Sequence, residues 1–278
     1  TSVDTASEAL AVSMGEKARV DMDYMCELTG KTEEEIFADL KGVIFLNPMH
    51  GYGNSTQAKY LMADEYLSGN VREKLVLARK SAELYPEDYT VNVEALELVQ
   101  PKDLTASEIA VRLGATWLPT EIVEQFMFEF LGTPRYAQWN IKVHFSAYTG
   151  EWNIEGKSYD RSNVKAYSTY GTGRINAYKI IEETLNLKDV RIFDYVEDAD
   201  GKKKAILNKN ETAIAQAKQE LIKQGFQDWV WSDPERRERL CRLYNDKFNS
   251  LRPREYDGSH IAVSYTHLRA HETTLHLV

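Results

Sequence analysis

The densest group of chemistry-capable side chains is at the C-terminal end, where His260, His267, His271 and His276 follow one another. His267 and His271 stand four apart with Glu272 beside them, a spacing that puts two imidazoles on one helix face toward a divalent metal. His50 and His144 are isolated and read as structural. Cys26 and Cys241 lie far apart and offer neither a disulfide framework nor a Cys/His nucleophile pair. No Ser/His/Asp grouping has supporting local context. The 43 carboxylates show no spacing that singles out an acid–base pair. The expectation is a chain with no catalytic residue, cofactor-binding residue or metal ligand of its own.

Residues 263–273 look like the translation, in one frame, of a transposase-type sequencing-library adapter, with constant adapter sequence returning at 276–278. This implies that the tail 263–278 was not selected with the rest, and it discounts the histidine pair as a metal site. Phosphate chemistry has better candidates. Gly171-Thr172-Gly173-Arg174 precedes an expected helix, whose free N-terminal amides together with Arg174 suit a phosphate. No Gly-Lys-Ser/Thr follows, so this is not a nucleotide-binding P-loop. Lys202, Lys203 and Lys204, then Arg236, Arg237, Arg239, Arg242, Arg252 and Arg254, form a basic stretch, and Trp229 and Trp231 stand just before its arginines, where they could stack on bases. These residues are the candidate nucleic-acid contacts; the competing reading is solvated helix faces and core tryptophans. Asn47-Pro48-Met49-His50 is similar to the Asn-Pro-Pro-aromatic motif of adenine methyltransferases but departs from it at Met49 and His50.

The elements that must position these groups are legible from caps and periodicity. Helices are expected over 6–17, 21–29 (ended by Gly30) and from the Thr32/Glu35 capping box to Lys41. A buried strand follows at 43–46, then a loop at 51–57 and helices at 70–85 and 90–99. A Thr105/Glu108 capping box predicts a helix to Leu113, and Pro119 opens another over 120–131. Beyond Gly132-Thr133-Pro134 the texture changes to hairpins at 139–154 and 190–207, the latter around an Asp-Ala-Asp-Gly turn, with helices at 175–185, 212–224 and 235–249 and a near-helical piece at 229–231. The expected class is α+β: a mainly helical domain at 1–132, an α+β domain with short antiparallel hairpins and basic C-terminal helices at 135–262, and the tail at 263–278. Two helix–turn–helix-like units, 21–41 and 105–131, carry acidic second helices (Glu33, Glu34, Glu35 and Asp39; Glu121, Glu124 and Glu129), which phosphate repels. Packing, and next protein contact, is their expected role.

With 278 residues, 43% hydrophobic and 28% charged, the composition excludes collagen-like, disulfide-scaffold and disordered classes. No apolar run approaches a membrane span and no signal peptide is evident, so a reducing cytoplasm is expected. The absence of an initial Met hints at a piece of something longer. The net charge of −9 is uneven: residues 1–100 carry −9, residues 202–254 carry +6. That asymmetry points the basic part toward an anionic partner, with solvated helix faces as the competing reading.

Residues 43–48 (VIFLNP), 65–75 (EYLSGNVREKL), 85–91 (YPEDYTV), 108–119 (EIAVRLGATWLP), 170–185 (YGTGRINAYKIIEETL) and 252–260 (RPREYDGSH) together resemble one family. It comprises very large proteins of bacterial conjugative and phage-like elements that join an adenine-specific DNA methylase region to a Swi/Snf-type helicase. The resemblance runs from Thr1 to about Ala262 and implies the stretch between the methylase region and the helicase ATPase core. It implies DNA and the flanking helicase and methylase regions as partners, with ATP/Mg and S-adenosylmethionine used only elsewhere in such a protein. No catalytic residue carries over, because the motifs of those engines have no counterpart here. The alternative is a stand-alone helix–turn–helix-like DNA- or protein-binding module.

Overall fold

Side-chain caps set the first three helices. α1 (Ala6–Lys17) starts at a capping box in which Thr5 Oγ1 accepts from the Glu8 amide at 3.2 Å and the Glu8 carboxylate accepts from the Thr5 amide. α2 (Met22–Thr29) is capped by Asp21 and closed by Gly30, whose φ of 71° is the left-handed conformation glycine adopts without cost. α3 (Glu33–Asp39) opens with the Thr32/Glu35 box. Each such cap contributes about 1 kcal/mol. Two strands follow, β1 (Ile44–Leu46) and β2 (Tyr60–Met62), antiparallel with Ile44 opposite Met62. Ala9, Leu10, Met25, Ile36, Leu40 and Ile44 close a small core between helices and hairpin.

The computed structural model describes residues 2–53 and 56–256. The chain divides into two units: one runs to Lys102 and resumes at Phe248, the other is Asp103–Lys247. The first unit continues through α4 (Ala63–Tyr66), β3 (Gly69–Asn70), α5 (Val71–Leu84) and α6 (Pro86–Leu98). Phe45 and Tyr66, stacked with centroids 5.1 Å apart, join Val71, Ala78 and Leu96 in a second core. A two-residue strand at Leu251–Arg252 pairs with β3 and returns the chain to this unit.

The second unit holds α7 (Thr120–Leu131), α8 (Arg135–Gln138), the hairpin β4 (Lys142–Ser146) and β5 (Glu151–Glu155), a π-helical turn at Lys165–Thr169, α9 (Ala177–Leu185), the hairpin β6 (Phe193–Glu197) and β7 (Lys203–Leu207), α10 (Lys209–Val230) and α11 (Pro234–Phe248). Phe126, Met127, Ile141, Ile154, Tyr178, Ile181, Ile222, Phe226 and Leu240 form its core. The class is α+β, helical first and then mixed.

Three expectations are corrected. The Thr105/Glu108 contacts form, but only around a turn. Ile109, Val111 and Leu113 are buried alternately in a segment that forms no helix, and that period-two burial overrides the capping signal. The division expected at 132–134 lies inside the second unit, because the Thr133 hydroxyl meets the buried Tyr178 hydroxyl at 2.7 Å and makes this turn part of one core. The pieces expected at 212–224 and 229–231 are one continuous helix, α10. The histidines at 260, 267, 271 and 276 and the tail 263–278 lie outside the described residues.

Candidate nucleic-acid interface

α2 and α3 are a helix–turn–helix. Ser13, fully buried, pins the turn before them by donating to the Arg19 carbonyl at 2.8 Å and accepting from the Asp21 amide at 3.0 Å. α3 is tied to β2 through Glu33, which pairs with Lys59 and accepts from the Tyr60 hydroxyl at 2.6 Å. Lys59 and then Tyr60 hold the Glu33 carboxyl below the ordinary range, while burial and then Glu33 push the Tyr60 phenol up. Glu34, Glu35, Ala38 and Asp39 make the outward face of α3. It is acidic where a base-reading helix offers donors.

The loop between β1 and β2 is fixed at its base by Asn47. Its side-chain oxygen accepts from the Met49 amide at 3.0 Å, and its amide donates to Gln57 Oε1 at 3.2 Å and to the Ala58 carbonyl at 3.1 Å. All of its polar atoms are spent on the loop, so the Asn-Pro-Met-His similarity to methylases has a local structural cause.

The basic candidates of the second unit separate into braces and unpaired cations. Arg236 is only 7% exposed; its guanidinium lies 3.5 Å from the Trp229 ring centroid and donates to the carbonyls of Val230 (3.1 Å) and Trp229 (2.6 Å) and to Ser232. It therefore closes the C-terminal end of α10, and burial lowers its pKa. Arg239 pairs with Glu121 at 2.8 Å and Arg242 with Asp103 at 3.5 Å, so both tie α11 to its own unit. Arg237 is exposed and, among the described residues, its guanidinium reaches only the Trp231 carbonyl at 3.5 Å. Trp229 donates to Glu129 at 2.6 Å and packs on Phe126 and Phe226, and Trp231 is half-buried against the same core. Arg252 donates to the Leu67 carbonyl and pairs with Glu255, and Arg254 pairs with Asp64, all in the first unit.

The Gly171–Arg174 turn is likewise engaged. Thr172 Oγ1 accepts from the amides of Arg174 and Ile175, and Asn176 caps α9 by accepting from the Lys179 amide. The amides of Arg174, Ile175 and Lys179 are thus already used. Arg174 instead braces the β6–β7 hairpin, pairing with Asp194 at 2.9 Å and donating to the Phe193 carbonyl at 2.9 Å. Arg174 and then Asn208 hold the Asp194 carboxyl below its ordinary value. Lys202, Lys203 and Lys204 stand exposed at the far end of this hairpin and make no ion pair among the described residues. The structure thus leaves the lysines as accessible charge and engages most of the arginines with carboxylates or carbonyls, Arg236 being the buried one. Sequence reasoning missed Phe193 and Tyr195, exposed on β6, and Arg191, exposed in the segment that leads into it; the alternation in 190–196 was the available signal.

Three helices followed by a hairpin, with α2 and α3 as the helix–turn–helix, define a winged-helix unit. Residues 2–57 match the family described as "Probable helicase, winged helix domain", which relates the chain to helicases. Residues 112–250, half of the chain, match the family described as "Domain of unknown function (DUF8437)", and the chain belongs to that family. No curated protein and no solved structure gave a significant match. No helix among the described residues is long and apolar enough to cross a membrane.

Proposed function

We propose that the chain is a non-catalytic, DNA-placing segment of a larger DNA helicase, in which the second unit supplies the phosphate contacts. One combination carries the reading: a helicase-related winged-helix unit whose α3 is acidic, in one chain with a second unit bearing unpaired, exposed lysines. Phosphate repels Glu34, Glu35 and Asp39 and attracts Lys202, Lys203, Lys204 and Arg237. The parent protein in this reading is a cytoplasmic, ATP-dependent Swi/Snf-type helicase of a mobile element joined to an adenine-specific DNA methylase. The segment places DNA for, or couples, those two engines. ATP/Mg and S-adenosylmethionine belong to the flanking regions in this reading: Gly30-Lys31-Thr32 and Gly156-Lys157-Ser158 both lack the glycine five residues earlier that a phosphate-binding loop needs, and the sequence shows no cofactor loop. The acidic face of α3 favours a second role for the winged-helix unit, contact with a protein rather than with bases.

The purified chain should bind DNA weakly, with little sequence preference, and lose affinity steeply as salt rises from about 50 to 200 mM. It should not turn over ATP. Measurable ATPase activity, or no DNA binding at the lower salt, contradicts the proposal.

A further inference from the structure

We infer that the outward face of β6, with the loop leading into it, is a track for single-stranded DNA, in which bases stack on Phe193 and Tyr195 while phosphates meet Lys188, Arg191 and Lys203. The inference rests on the nucleic-acid reading above and names its ligand and its residues. From Val190 to Tyr195 burial alternates: Val190 and Ile192 point into the core, Asp194 is half-buried against Arg174, and Arg191, Phe193 and Tyr195 face outward. Side chains two apart on a strand share a face, so Phe193 and Tyr195 stand together on β6, and the alternating burial continues their row back to Arg191 in the segment before it. Across the hairpin, Leu207 stands opposite Phe193, Ala205 opposite Tyr195 and Lys203 opposite Glu197, which puts Lys203 on the same face farther out.

The row begins in a groove of about 490 Å³ between the start of α9 and the loop after it, with Ile175, Val190 and Phe193 as its apolar part and Lys179, Lys188 and Arg191 as its cations. Lys179 is taken by Glu182 and Glu183, but Lys188 and Arg191 make no ion pair among the described residues. Asp189 and Glu197 are the carboxylates along the row besides Glu183, so charge alone does not make the site. What distinguishes it is alternation: cations at Lys188 and Arg191, aromatics at Phe193 and Tyr195, a cation again at Lys203. Tyr195 is 71% exposed and Phe193 37%, large apolar area for an isolated hairpin to leave in water. Aromatic faces interleaved with cations are what unpaired bases and their phosphates recognise, and a duplex offers no free base face to them. Arg174 and Asn208, both bonded to Asp194, hold the base of the hairpin so that the row is presented ready-formed.

The test is fluorescence anisotropy of the full chain with a labelled oligothymidylate of about 16 nucleotides, the upper end of a single-strand site, and with a blunt duplex of the same length. The parent should prefer the single strand. Y195A should weaken that binding roughly tenfold and Y195F should restore it, because stacking needs the ring and not the hydroxyl. Y195L, which fills the same place without a flat ring, should behave as Y195A, and K188A/R191A should weaken binding and lower its salt dependence. Salt-dependent DNA binding that is indifferent to Y195A and Y195L, or that favours the duplex, overturns this inference and leaves the proposed function standing. No binding of either DNA removes both.

Discussion

Arg236 carries its charge where nucleic acid cannot reach it, since its guanidinium is stacked on Trp229 and spends its donors on the end of α10. Arg236→Ala should therefore lower stability by about 2–3 kcal/mol, the cost of losing a charged donor to buried carbonyls, and leave the salt dependence of DNA binding unchanged. Denaturant melts and anisotropy on the same protein check this; a variant of normal stability with weakened DNA binding contradicts it. Glu182 is a second buried charge, held between Lys157 and Lys179 at 2.7 Å each and bonded to the Ile154 amide. Burial favours its protonated form, but Lys157, Lys179 and the amide outweigh burial and keep the carboxyl below the ordinary glutamate range. A carboxyl depressed in the folded state stabilises fully above its unfolded titration and loses that contribution as pH falls through the folded value. The parent's melting temperature should thus drop below about pH 5, and Glu182→Gln should be less stable at neutral pH but flatter across the acid range. Parallel curves would show that the cluster contributes nothing to acid sensitivity.

At the scale of elements, α10 carries Gly225 in its interior, where the aromatic core leaves no room for a Cβ. A Cβ there would stand 2.3 Å from Phe130 Cε2, and Phe130 is held between Phe126 and Tyr170, with centroids 5.1 and 4.3 Å away. Gly225→Ala gains up to about 1 kcal/mol of helix propensity but overpacks the core at a cost of about 1–3 kcal/mol, so the melting temperature should fall. A rise would mean that Phe130 yields freely. The elements that were legible in the sequence are those whose cause is local. Thr5, Asp21 and Thr32 cap helices from one to three residues away, and the Asp198–Gly201 turn dictates its own hairpin. What was not legible depends on partners far along the chain. Tyr60–Met62 becomes a strand only opposite Ile44–Leu46, and Leu251–Arg252 only opposite Gly69–Asn70. The candidate site divides in the same way. A count of charges located the basic stretch, but it could not show that Arg236 faces carbonyls while Lys202, Lys203 and Lys204 face water.

Across the whole molecule, charge is divided between an acidic winged-helix unit and a second unit with exposed lysines. Residues 1–100 carry a net −9 and residues 202–254 a net +6, so attraction to phosphate belongs to the later part of the chain. If the hairpin end is where DNA is held, removing its charge should change affinity and salt dependence together, without loss of fold, because Lys202, Lys203 and Lys204 are exposed and make no ion pair among the described residues. The most direct measurement is the slope of log affinity against log salt for the parent and for the K202A/K203A/K204A variant. The account predicts that the variant melts like the parent, binds DNA more weakly, and has a slope reduced by about 2 to 3. Equal affinity and equal slope in the two proteins would contradict it.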